Sequence, residues 1–266
     1  MSKSGMLFGK KFDFIFSLGE NCAAATYLRR FNLRYISSPF DWLCNVSLKT
    51  RVDLLVNGFN GFLEKQNLCR IEKNRNGDPL HDFYLDKKLG FKFLHDFPVG
   101  KSLDDSFPAV KEKYNRRIER LLQRLKTPQN VLCVWSGYDF PIVYKELQNA
   151  ISCLSESFPE VNFSLLVIEN DMTSSRIKEK QIGDDIIVFT GPFIPDKTLF
   201  EGDKTMLNLV YSQINRAWLL LFYKLMFVIY RRVKRSDYVV RYLFGIPIFK
   251  RRRKMKVREF YGKKVL

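Results

Sequence analysis

The chain has 266 residues, 46% of them hydrophobic and 27% charged, which is enough apolar material for a substantial core and excludes a disordered chain. Its net charge of +17 is unevenly spread: residues 231–266 hold fourteen Lys or Arg against Asp237 and Glu259, so the rest of the chain is only mildly basic. Such asymmetry points to a tail that meets an anionic partner, and nothing in the composition requires a cofactor for folding.

Residues 12–18 (FDFIFSL) are aromatic and apolar and end at Gly19, which predicts a buried strand stopping at a turn. Residues 22–31 read as a helix: Ala23, Ala24 and Ala25 favour it, Asn21 suits the N-cap, and Leu28 and Phe31 share a face. Ser37-Ser38-Pro39 breaks the chain before Phe40-Asp41-Trp42, and a helix follows from about Ser47 to Val56. From Asn57 to Gly90 the residues Gly58, Gly61, Asn74, Asn76, Gly77 and Pro79 interrupt any period, which predicts a long irregular excursion. Residues 91–95 alternate as a short strand. A strongly charged helix is expected over 108–126, with Arg116, Arg117 and Arg120 on or near one face.

The second half alternates more clearly, with strands at 131–135, 163–169 and 184–190 and a helix at 141–157. That order predicts an α/β fold with a mostly parallel central sheet flanked by helices, Rossmann-like, over residues 1–210. Residues 211–266 form a separate apolar and basic C-terminal segment, expected as a helical tail. Within it, 217–230 is apolar except for Lys224. Fourteen helical residues rise only about 21 Å, short of the roughly 30 Å hydrocarbon core. The stretch therefore suits an interfacial helix on an anionic membrane surface, through 217–264, or else a core helix. Nucleic acid is the weaker partner, because the tail has apolar patches and few stacking positions.

Cys22, Cys44, Cys69, Cys133 and Cys153 form no C-x-x-C pair and no zinc-like spacing with His81 or His95, so no metal is expected and the thiols read as reduced. The apolar run 12–18 contains Asp13 and is too short for a signal peptide. A cytoplasmic protein is expected, peripheral at the inner face of the cell membrane.

Cys22 falls after a predicted strand, at the first turn of a predicted helix, where backbone N–H groups and the helix dipole can lower a thiol pKa. The Cys22 amide and the Asn21 side chain could hold an oxyanion. Of the two histidines, His95 is the better general base, because it ends a strand-like run whereas His81 sits in the irregular stretch. Asp96 is adjacent but points to the opposite face of an extended strand; Asp41, Asn115 and Asp139 are open alternatives for an orienting group. Arg116, Arg117 and Arg120 read as a solvated face partly neutralised by Glu112 and Glu119, or as a clamp for phosphate or carboxylate.

The runs SLGENC at 17–22, SPFDW at 38–42, LHDF at 94–97 and YNRRIERL at 114–121 resemble, in order, a bacterial family labelled papain-like cysteine peptidases, over about residues 12–170. The resemblance implies Cys22 as nucleophile and His95 as its partner, with the three arginines as motif positions. Papain itself pairs a helical Cys domain with an antiparallel barrel, which conflicts with the strand–helix alternation read above. The run YLFGIPIFKRRR at 242–253 resembles a C-terminal signature of bacterial capsule and lipopolysaccharide assembly enzymes, including glycosyltransferases. Three functions follow as expectations: a Cys22–His95 hydrolase or acyl transferase on a small-molecule or glycan-linked substrate, a glycosyltransferase using a phosphorylated donor, or a non-catalytic membrane-associated binding protein.

Overall fold

In the computed structural model, which describes residues 7–72, 79–137, 140, 142–171, 173–174, 176–191, 210, 214, 230–234, 238–243 and 246–252, the aromatic run Phe14–Gly19 forms strand β1, buried at every position. Helix α1 (Cys22–Arg30) follows. After a long insertion the chain returns as β6 (Gln129–Gly137), α4 (Tyr144–Ser157), β7 (Val161–Asn170), β8 (Lys178–Ile182) and β9 (Ile186–Gly191). The central sheet has the order β1-β6-β7-β9-β8. Its first four strands are mutually parallel, and β8 joins antiparallel at the edge.

Helices cover both faces of this sheet, so its strands carry apolar residues on both sides rather than alternating with polar ones. Ile15, Leu132, Val134 and Leu166 pack with Ala24, Tyr27 and Leu28 of α1. Phe14, Phe16, Val131, Cys133 and Trp135 face the larger core, which includes Val52 and Leu55 and, from α4, Leu147 and Leu154. The expected mostly parallel α/β sheet is therefore what the sequence forms.

The insertion holds β2 (Leu43–Cys44), α2 (Leu48–Val56), β3 (Leu68–Ile71), β4 (His81–Asp86), β5 (Lys92–Pro98) and α3 (Leu103–Arg124). Its strands form a second, antiparallel sheet of order β2-β5-β4-β3. The irregular excursion expected over 57–90 is thus corrected, since β3 and β4 lie inside it. Gly58 (φ +64°) and Gly61 (φ +74°) serve the loop after α2, and Gly90 (φ +83°) serves the β4–β5 turn. The strands between those turns are too short to show a period. Helix α3 starts five residues before Pro108, because the Ser102 hydroxyl caps it by accepting from Asp105 N and Asp104 and Asp105 occupy its first turn.

The chain divides into two units, residues 1–216 and 217–266. In the second, β10 (Tyr230–Lys234), β11 (Tyr238–Leu243) and β12 (Ile246–Arg252) form a three-stranded antiparallel sheet. The basic tail expected as helical is accordingly a β-meander over these residues. The apolar stretch 217–230 lies outside the described residues except for Tyr230. Among the described residues no helix is long and apolar enough to cross a membrane.

Candidate active site

The turn from β1 into α1 is tightly specified. Gly19 (φ +87°) and Glu20 (φ +47°) both occupy left-handed backbone, which for a glutamate needs support from its surroundings. That support is local and long-range. Ser17 Oγ accepts from Gly19 N at 2.9 Å, and Ser38 Oγ donates to the Ser17 carbonyl at 3.1 Å. Asn21 is the N-cap of α1, its Oδ1 accepting from Ala23 N at 2.8 Å. The oxygen of Asn21 is thereby engaged in the cap.

Cys22 is the first residue of α1, at the carboxyl end of a parallel strand, and is 3% exposed. Burial pushes its thiol up to about 11, while a backbone hydrogen bond pulls the other way and loses. The lowered thiol expected from the helix N-terminus is corrected by this result: desolvation outweighs the backbone hydrogen bond, and the resting side chain is a protonated thiol at neutral pH. Glu20 pairs with Cys44 in an isolated parallel bridge. Cys44 is close enough to Cys22 to feel its charge, and burial raises its thiol to about 12.

Beneath this turn lies Arg51 of α2, fully buried. Its Nε donates to Val46 O at 3.3 Å, Nη1 to Leu18 O at 2.9 Å, and Nη2 to Glu20 O at 3.2 Å and Leu43 O at 2.9 Å. Its guanidinium carbon sits 5.8 Å from the Phe40 ring centre, 5.2 Å from Phe91 and 5.5 Å from Trp135. Burial lowers its pKa to about 9, opposed by Cys44 and Glu20.

A second polar group lies where β2, β5 and α3 meet. Asp41 is 1% exposed; its Oδ2 pairs with Arg34 at 2.7 Å and accepts from Ser38 N at 3.0 Å. Burial raises Asp41 to about 7, with Arg34 and then Arg117 pulling it back. On α3, Tyr114 donates to Asp96 Oδ2 at 2.9 Å, and Lys113 pairs with Oδ1 of the same carboxylate. Arg117 lies over the Tyr114 ring at 5.4 Å. Asp41 Oδ1 and Arg117 Nη1 are buried and have no hydrogen-bond partner among the described residues.

His95 is exposed on β5 beside the buried Asp96, as neighbouring strand positions demand. Trp42 packs on its ring edge-on at 5.8 Å, and His81, which opens β4, lies 6.3 Å away on the other strand. The ladder pairs Cys44 with Lys92, three positions before His95, a rise of about 10 Å along β5. Arg116 pairs with Glu112 on the exposed side of α3, and Arg120 is exposed as well, whereas Arg117 turns inward. The expected common arginine face is corrected in that respect: Arg117 is about 100° from Arg116 around the helix. Asn115 is exposed, and Asp139 lies outside the described residues.

The sequence reading missed Arg34, Cys44, Arg51, Lys113 and Tyr114. Tyr114 had a signal, since it heads the YNRRIERL run. Arg51 had none, because SLKTRVDLL reads as an amphipathic helix with an ordinary surface charge. Among the described residues no group of three or more His, Cys, Asp or Glu is placed to hold a metal ion.

The profile of a family described as "Putative papain-like cysteine peptidase" matches residues 13–171. An uncharacterized protein of Acanthamoeba polyphaga mimivirus is 28% identical over 118 residues, covering 39% of this chain and 52% of the viral one. The match thus spans about half the length of that relative. No solved structure matches the chain.

Proposed function

The chain belongs to the family described as "Putative papain-like cysteine peptidase", and from that premise we propose that it is a thiol-dependent hydrolase or acyl transferase with Cys22 as nucleophile. The observation that carries the reading is the setting of Cys22. It is the first residue of a helix capped by Asn21, directly beyond the end of a parallel strand, where α/β sheets bind their ligands.

In this reading Cys22 Sγ attacks an acyl carbon as its proton passes to His95, and the Cys22 amide with the Asn21 amide group stabilises the oxyanion. The acyl–leaving-group bond then breaks, the leaving group takes the proton from His95, and water or an acceptor cleaves the thioester. The resting thiol is protonated and shielded, so activation belongs to the substrate-bound state, in which His95 approaches the turn. Asp41 fixes the segment that presses Trp42 against His95.

The test is acyl trapping. Incubation with activated amino-acyl and peptidyl esters, followed by peptide mass spectrometry, should reveal a hydroxylamine-sensitive adduct on Cys22 that diminishes in His95→Ala. An adduct confined to the exposed Cys153 overturns the reading.

The unpartnered Arg117 Nη1 favours a second reading, a transferase that holds a phosphorylated sugar donor through Arg117. For either reaction, surface-glycan assembly at an anionic membrane face is the proposed setting. It draws on the YLFGIPIFKRRR run and the basic C-terminal segment.

A further inference from the structure

Arg51 is a fully buried charge that the proposed reaction does not use. A guanidinium with five N–H donors is costly to bury, and among the described residues its hydrogen-bond partners are four backbone carbonyls rather than a carboxylate. Those carbonyls belong to two chain segments that are far apart in sequence. Leu18 and Glu20 flank the turn before Cys22, and Leu43 and Val46 belong to β2 and the loop after it. Three aromatic rings, from Phe40, Phe91 and Trp135, surround the same group.

Gly19 is shaped to the guanidinium. A Cβ on Gly19 would stand 2.6 Å from Arg51 Nη1 and 3.0 Å from Phe40 O, and the residue's φ is +87°. No side chain fits between the turn and the guanidinium, so the two lie in direct contact. The left-handed Glu20 next to it gives its carbonyl to Arg51 Nη2.

We propose that Arg51 is a positioning residue that clamps the β1–α1 turn onto the β2 segment and thereby holds Cys22 in its closed, buried setting. Weakening this clamp by substitution should make the thiol reachable. The inference rests on the assignment of Cys22 as nucleophile for its functional meaning, but its physical content, control of Cys22 burial by Arg51, is measured independently of any reaction.

The cysteines supply internal controls. Cys133 lies in the middle of β6 and is fully buried, whereas Cys153 is exposed. Iodoacetamide labelling of each cysteine, read by mass spectrometry from pH 7 to 11, is compared in the native protein, Arg51→Lys and Gly19→Ala. The lysine keeps a long side chain ending in a nitrogen donor but cannot span four carbonyls with a planar fork, and the alanine attacks the same contact from the turn. In the native protein Cys22 should label nearly as slowly as Cys133. In both variants Cys22 labelling should rise at least about ten-fold relative to Cys133, with its midpoint moving down toward the ordinary thiol value of about 9. Cys153 should be unchanged.

Cys22 remaining as slow as in the native protein in both variants overturns the proposal. So does a parallel rise of Cys22 and Cys133, which would make Arg51 a support of the whole sheet. Failure of the nucleophile assignment reads out elsewhere, as the absence of an acyl adduct on Cys22, and leaves the labelling pattern intact.

Discussion

Ser38 donates its hydroxyl to the Ser17 carbonyl at 3.1 Å, which ties the segment carrying Phe40, Asp41 and Trp42 to β1 just ahead of the Cys22 turn. The same oxygen accepts from Phe40 N at 3.2 Å. Both serines are buried, so no water replaces the lost partner. Ser38→Ala should therefore cost about 1–3 kcal/mol of stability. Urea denaturation measures this directly, and a loss below about 0.5 kcal/mol would contradict the assigned role of the hydroxyl.

Tyr114 and Lys113 share the buried Asp96 carboxylate between them. Tyr114→Phe removes one donor and leaves the ring packing among Phe62 and Phe93 in place. The expected loss is about 1–3 kcal/mol, since a buried carboxylate oxygen is left without its hydrogen bond. A double-mutant cycle with Asp96→Asn should show that the two changes are not additive.

The three arginines of α3 should separate in a stability assay. Arg116 and Arg120 are exposed, and their alanine variants should stay within about 0.5 kcal/mol of the native protein. Arg117 rests on the Tyr114 ring and its charge reaches Asp41, so Arg117→Ala should cost more, about 1–2 kcal/mol. Equal effects at all three positions would argue that Arg117 is solvated like its neighbours.

Asp41 adds a pH dependence on the acid side. Burial raises its carboxyl from 3.8 to about 7 in the folded protein, so the folded state binds the proton more tightly than the unfolded one. The associated stability is fully present below about pH 4 and is lost as pH rises through about 7. Asp41→Asn should flatten that slope, as judged by denaturation at pH 5 and pH 8. An unchanged slope would mean that the Arg34 pair keeps the carboxylate ionised throughout.

Alkaline stability follows from the raised thiols by the same reasoning. Burial raises Cys22 to about 11, Cys44 to about 12 and Cys133 higher still, whereas the unfolded thiols ionise near 9. Their contribution is intact below about pH 9 and falls away as pH climbs through the folded values. Denaturation midpoints should drop between pH 9 and 11, and less steeply in Cys44→Ala than in the native protein.

What the sequence determined by itself was the local part of this architecture. Strands buried on both faces, such as VLCVW and the LLVI of FSLLVIE, announce a helix-covered parallel sheet because their apolar residues run on without alternating with polar ones. Asn21 announces the start of α1, because a capping side chain acts within three residues of itself. Cys22 was legible as a candidate for the same reason, standing at a predicted strand–helix junction. What only the tertiary structure decided depends on partners distant in sequence. The antiparallel β2-β5-β4-β3 sheet, the inward turn of Arg117 and the clamp of Arg51 on Leu18, Glu20, Leu43 and Val46 leave no period in the chain. The protonation state of Cys22 belongs to the same class, because desolvation is set by everything packed around the thiol, and here it outweighs the backbone hydrogen bond at the helix start.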